Sequence, residues 1–264
     1  MIPPSLCGLV RMEPLVLLGI YSVLIVLVSL IGGIIPLFRQ WSSGQLHLMT
    51  ALSAGVFIGA TFIILLPEAV EAMEPSEALP LVMVGFFIIL LFEVLLKHRH
   101  QHECEEHTDE HKHSLTSTTA FVGLSVHSAM DGFALGVAVV LNQEIGAMVF
   151  LAILAHKAID VFSLSTTFAL ADVGRKKGFV FMALFSLITP VAAAIAFPFI
   201  DILQHIEVGI PLALAGGTFM YVGIYDLLPE AFHEEHSDLK AIALVALGII
   251  IMYFLGTVLE SAGI

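Results

Sequence analysis

The chain has 264 residues, of which 58% are hydrophobic and only 12% charged, and its formal net charge is −13. Soluble domains carry about 25% charged residues, so this composition excludes an ordinary soluble globular fold, and the acidic balance offers no basic surface for nucleic acid. The class it points to is an all-α, polytopic membrane protein whose main partner is the lipid bilayer.

Apolar runs of about 20 residues match the thickness of the hydrocarbon core. The first, 14–38, is too long and its flank too poor in positive charge for a removable signal peptide, so a true span is expected. The second, 48–66, stops at Pro67 and leads into an acidic turn with Glu68, Glu71, Glu74 and Glu77, punctuated by Pro67, Pro75 and Pro80. That turn reads equally as a solvated loop or as a mouth that concentrates cations.

The third run, 79–96, carries Glu93. After it, KHRHQHECEEHTDEHKH (97–113) holds six of the twelve histidines and Cys104. With so few apolar residues, the tract 97–117 is expected to be a flexible loop that either buffers and senses soft or borderline metals or binds them only incidentally.

The fourth run, 118–141, contains His127, Ser128 and Asp131, and the fifth, 145–170, contains His156, Lys157 and Asp160. The sixth, 178–200, brings Pro190 and Pro198 but no acid; the seventh, 208–228, carries Asp226; the eighth is 241–259. His233 and His236 lie between the last two. Eight spans in one transmembrane unit, 1–264, use most of the chain.

Short loops rich in Lys and Arg stay on the cytoplasmic side. With the N-terminus outside, Arg39, Lys97, Arg99, Lys112, Arg175, Lys176, Lys177 and Lys240 all fall inside and only Arg11 falls outside. Both termini are then external. Cys7 and Cys104 fall on opposite faces, which excludes a bond between them. The cell membrane is the first expectation for location, with an organelle membrane as the alternative.

Residues 55–69, GVFIGATFIILLPEA, and 217–231, GTFMYVGIYDLLPEA, align without gaps at an offset of 162, matching at Gly55/Gly217, Phe57/Phe219 and the whole LLPEA ending. On this topology the two copies run in opposite directions through the bilayer. Helices 1–3 and 6–8 are therefore expected to form inverted repeats around helices 4 and 5, a 3+2+3 arrangement typical of secondary transporters.

Both central helices read His-x-x-x-Asp. A spacing of four residues places the two side chains on one helix face, one turn apart, where they can converge on a single ion. Imidazole and carboxylate suit zinc, and also iron, manganese and cadmium. Each charged residue at mid-bilayer costs about 2.5–3.5 kcal/mol on insertion scales, so such groups are usually interior and functional. The competing reading is that they merely join helices. In helix 5, His156, Asp160, Ser163 and Thr167 continue as one polar stripe; in helix 4, Gly123, Ala134 and Ala138 form a stripe of small residues.

These motifs resemble the ZIP family of divalent-metal transporters. GGIIPLF, SAGVFIGATFIILLPEA, VHSAMDGFALG, HKAIDVF and GTFMYVGIYDLLPE occur in the family's order, and the closest-looking subfamily is the one with His-Lys-Ala in helix 5. The resemblance implies a 3+2+3 fold, external termini and entry of metal toward the cytoplasm. It maps His127, Ser128 and Asp131, with His156, Lys157 and Asp160, onto the family's metal-site positions.

Many members carry a second acid or other ligand where this chain has Lys157. An ammonium has no lone pair, so a single-ion site of His127, Asp131, His156 and Asp160 is expected. Lys157 would neutralise spare carboxylate charge when no metal is bound. Zn2+ is then a transported substrate and no prosthetic cofactor is expected; Fe2+, Mn2+ and Cd2+ remain open, as does a homodimer. The rival from another class is an intramembrane, ceramidase-like zinc hydrolase, disfavoured by the absence of an HExxH motif.

Overall fold

The computed structural model describes residues 13–38, 41–100, 109–141, 143–197, 209–232 and 238–261. Cys7, Arg11, Arg39, Cys104, Pro198, His233 and His236 lie outside them. Within the described residues every regular element is helical, and eight helices are long and apolar enough to cross a membrane. They are α1 (Pro14–Phe38), α2 (Ser43–Ala72), α3 (Pro75–His100), α4 (Asp109–Leu141), α5 (Gln143–Leu170), α6 (Arg175–Ala196), α7 (Gly209–Ala231) and α8 (Asp238–Ser261).

The eight spans agree with the apolar runs, but several ends do not. α2 starts earlier, at Ser43, because Ser42 and Gln45 form a reciprocal capping box: the Gln45 amide donates to Ser42 Oγ at 3.3 Å and the Ser42 amide to Gln45 Oε1 at 3.0 Å. α2 also ends later. Pro67 does not stop it, because the preceding turn, Ala60–Leu65, is π-helical and the Leu66 amide donates to Thr61 O, five residues back. A wider turn absorbs a proline that has no N–H and would crowd an α-helical carbonyl.

The acidic segment expected as a turn is therefore mostly helix. Glu68 and Glu71 sit on the last turns of α2, Glu77 on the first turn of α3, and only Met73 and Glu74 link the two helices. Of the histidine-rich tract 97–117, the two ends are helical. α3 continues to His100 and α4 begins at Asp109, leaving 101–108 outside the described residues.

The second copy of the repeat behaves as the first. In α7 the turn Tyr221–Leu227 is π-helical, and the Leu228 amide donates to Gly223 O before Pro229. A π turn thus precedes Leu-Pro-Glu-Ala in both copies. In α6 the helix is interrupted at Leu187, where Pro190 leaves the Ser186 carbonyl without its usual amide.

Helix pairing follows the repeat as well. α1 packs along α5 and α6 along α4; α2 packs along α8 and α7 along α3. Exchanging α1 with α6, α2 with α7, α3 with α8 and α4 with α5 reproduces these pairings. The matched glycines make equivalent contacts. A Cβ on Gly55 would strike the Val245 carbonyl of α8, and one on Gly217 would strike the Val82 carbonyl of α3. Lipid supplies no hydrophobic drive between helices, so close backbone approach at small residues holds such pairs.

Gly55→Leu is expected to destabilise the protein by about 1–3 kcal/mol through overpacking. Gly19→Leu, at a site with open space around it, is expected to change stability by less than about 0.5 kcal/mol. Thermal unfolding of both variants in detergent, followed by size-exclusion chromatography, measures the contrast.

Candidate metal centre

α4 ends at Leu141 and α5 begins at Gln143, so the two helices form a tight antiparallel hairpin. Its register is set near the turn, where Gly146 packs on Val139: a Cβ on Gly146 would lie 2.7 Å from the Val139 Cα. Ser128 lies eleven residues before Val139 and Lys157 eleven residues after Gly146, which brings them level. Lys157 Nζ indeed donates to Ser128 Oγ at 2.7 Å. The same register carries His127 and Asp131, one turn apart on α4, to His156 and Asp160, one turn apart on α5.

The four side chains meet. One ligand atom from each of His127, Asp131, His156 and Asp160 lies within 4.8 Å of the others. His127 Nε2 is 3.2 Å and His156 Nε2 3.4 Å from Asp131 Oδ2, the two Nε2 atoms are 3.4 Å apart, and His156 Nε2 is 3.9 Å from Asp160 Oδ2. Ligands at 2.0–2.2 Å from a tetrahedral zinc are separated from one another by roughly 3.3–3.5 Å. The donor set and most of its spacings therefore fit one such ion.

A hydrogen bond and ring packing orient these side chains. His156 Nδ1 donates to Ala152 O at 2.9 Å, leaving the Nε2 lone pair directed at the cluster. The His127 ring packs against Phe219 at a tilt of 37°, with centroids 3.7 Å apart, and Phe219 meets Phe57 edge to face at 4.5 Å. Phe57 and Phe219 are the matched aromatics of the repeat, so the two copies touch each other at the site. Asp160 Oδ2 and His127 Nδ1 are buried without a hydrogen-bond partner in the protein, a condition that favours a further ligand.

Lys157 is fully buried and lies beside the cluster. Its Nζ is 3.6 Å from Asp131 Oδ2 and 5.2 Å from the centre of the Phe185 ring of α6. Ser128 sits at this edge, its Oγ engaged by the lysine, and Thr189 of α6 donates to its carbonyl at 3.0 Å. α6 brings no acid, as its sequence indicates, but supplies Thr189 and Phe185. Those two contacts were invisible in the sequence because neither residue type signals a metal site. The close approach of α6 to α4 is made at Gly132 and Gly136.

Glu93 and Asp226 do not join the cluster. Both are buried, and Glu93 Oε2 accepts a hydrogen bond from the hydroxyl of Tyr221 in the π turn of α7. His47 pairs with Glu230 of the second Leu-Pro-Glu-Ala, its Nδ1 donating to the Glu230 carbonyl at 2.7 Å.

The profile described as ZIP Zinc transporter matches this chain in two overlapping stretches, residues 15–120 and 97–256. Similar proteins include "Zinc transporter ZIP9" of Micropogonias undulatus, 27% identical over 83% of this chain and 86% of the relative. "Zinc transporter ZIP1" of Danio rerio is 24% identical over 86% of this chain and 93% of its own length. "Zinc transporter 11" of Arabidopsis thaliana is 23% identical over 81% and 74%. With eight membrane-spanning helices, the chain is a multi-pass membrane protein of a transporter family and not an enzyme. The hydrolase reading finds no support among these matches.

Removing one partner of a buried ion pair leaves the other charge uncompensated and costs about 3–5 kcal/mol. Asp131→Ala is expected to lower stability by that order in metal-free protein, and Asp131→Ala/Lys157→Met to recover much of it. Thermal unfolding of the two single variants and the double variant, run as a cycle, gives the coupling.

Proposed function

Because the chain belongs to the ZIP family of zinc transporters, we propose that it carries a divalent cation, zinc foremost, into the cytoplasm through His127, Asp131, His156 and Asp160. The observation that carries this reading is the convergence of two imidazoles and two carboxylates, from adjacent helices, on one point inside the bundle. Iron, manganese and cadmium, which accept the same ligands, are the competitors to test. The inward direction rests on the clustering of Arg175, Lys176 and Lys177 at one end of the bundle.

Transport needs the site to face each side in turn. The paired contacts of α1 with α5 and α6 with α4, and of α2 with α8 and α7 with α3, support a 3+2+3 arrangement in which two inverted halves enclose the central hairpin. Phe57 and Phe219 then form the seam that must part when the site changes exposure.

Lys157 acts here as a built-in counter-ion. With Asp131 and Asp160 ionised and the lysine charged, the empty site has one net negative charge rather than two. A bound dication is held less tightly than by two unopposed carboxylates, which favours release, since a conducted ion must leave as well as enter. It also stands in the way of a second ion beside Asp131.

Saturable uptake of radiolabelled zinc into sealed proteoliposomes is expected for the wild type and is expected to vanish in His127→Ala/Asp160→Ala. Equal uptake by both proteins would refute the site. Lys157→Met is expected to lower half-saturating zinc by about tenfold, ~1.4 kcal/mol, while slowing turnover, and a kinetic titration of that variant reads both changes.

A further inference from the structure

Buried Ser and Thr side chains in this protein nearly all bond to a carbonyl. On α2, Thr50 donates to Leu46 O and Thr61 to Phe57 O; on α5, Ser165 donates to Gly33 O of α1, Thr166 to Phe162 O and Thr167 to Leu164 O. Ser53 and Ser163 differ. Each is only 1% exposed, and each hydroxyl has no hydrogen-bond partner in the protein. A helical serine can normally bond to the carbonyl one turn back. These two forgo that bond, and a buried hydroxyl left unpaired is costly.

Their positions coincide. α2 and α5 pack together, and Leu46 of α2 and Ala169 of α5 line the same cavity of about 400 Å³ at the end of the bundle that carries Arg175. From that level, Ser53 is seven residues along α2 and Ser163 six residues back along α5. At 1.5 Å per residue both stand roughly 10 Å from the cavity, level with each other across the α2–α5 seam. Asp160, whose Oδ2 is also without a hydrogen-bond partner, is one helical turn beyond Ser163 on the same face of α5. Asp160 thus lies deepest, and the two hydroxyls stand at one level between it and the cavity, all three oxygens with unused acceptor capacity. The mouth of the cavity is lined by Asp172, Arg175 and Trp41.

We propose that the α2–α5 seam is the release path for the transported cation, with the hydroxyls of Ser163 and Ser53 taking it from Asp160 and the Asp172-lined cavity as its mouth. This rests on the transport reading above. A cation leaving a carboxylate must exchange one oxygen ligand for another without crossing bare hydrocarbon, and two hydroxyls with no competing protein bond supply oxygens at the first step. Leu37, Leu164 and Phe168 pack around this seam, so the path opens only as α2 and α5 separate. Ser163 and Ser53 are path residues that act after binding, and their loss slows transfer without emptying the site.

The test uses the full chain in sealed proteoliposomes, with zinc as the probe. Ser53→Ala/Ser163→Ala and Ser163→Val are expected to slow uptake at saturating zinc by about tenfold, the cost of one lost oxygen ligand at the rate-limiting step. Equilibrium zinc binding in detergent is expected to stay near the wild-type value, and Ser163→Thr, which keeps the hydroxyl, to restore most of the uptake. In a Cys7→Ser/Cys104→Ser background, Ser163→Cys is expected to react with a membrane-impermeant thiol reagent from the face bearing Arg175–Lys177, and more slowly when zinc is present. Should Ser163→Val fail to fold, the smaller double alanine variant decides. Undiminished uptake by that variant beside an active wild type, or labelling confined to the opposite face, overturns the path. A wild type that takes up no zinc refutes the transport reading instead.

Discussion

Two carboxylates enclosed in an apolar helical bundle are the constraint around which the rest of this protein is arranged. Asp131 and Asp160 cannot remain ionised there without positive or hydrogen-bonding partners, because desolvation of a lone charge costs far more than helix packing returns. The protein answers Asp131 with Lys157 and the two imidazoles, and leaves one oxygen of Asp160 open. One lysine against two carboxylates is a partial neutralisation. It lets the apo protein persist and still leaves an attraction for a dication.

That balance depends on register. Only position 142 separates α4 from α5 in the chain, and Gly146 against Val139 fixes how the helices slide. A slip of one residue would turn His156 and Asp160 about 100° away from His127 and Asp131. The surrounding helices clamp the hairpin in pairs, α1 on α5 and α6 on α4, while Phe219 packs on His127 and is itself met by Phe57, its counterpart in the other copy of the repeat. The π turns before Pro67 and Pro229 belong to the same design. They keep α2 and α7 continuous past prolines while placing Thr61 and Tyr221 inward, both fully buried.

Composition and hydropathy alone determined the class: too few charges for a soluble fold and eight apolar runs of bilayer length. Side-chain periodicity of 3.6 residues was enough to put His127 with Asp131 and His156 with Asp160, since residues four apart on a helix share a face whatever surrounds them. The repeated Gly, Phe and Leu-Pro-Glu-Ala positions likewise carried their own message. All these are local properties, and local properties are written in the order of residues.

Tertiary structure decided what depends on distance between segments. It extended α2 through Pro67, where a π turn takes the place of a helix stop, and so turned an expected acidic loop into helix. It also selected Lys157 as the partner of Asp131 and Ser128, brought Thr189 and Phe185 of α6 to the site, and left Ser53 and Ser163 without the bonds that every neighbouring hydroxyl makes. No spacing in the chain encodes those outcomes. They arise from the register between helices, which is set where backbones meet at glycine.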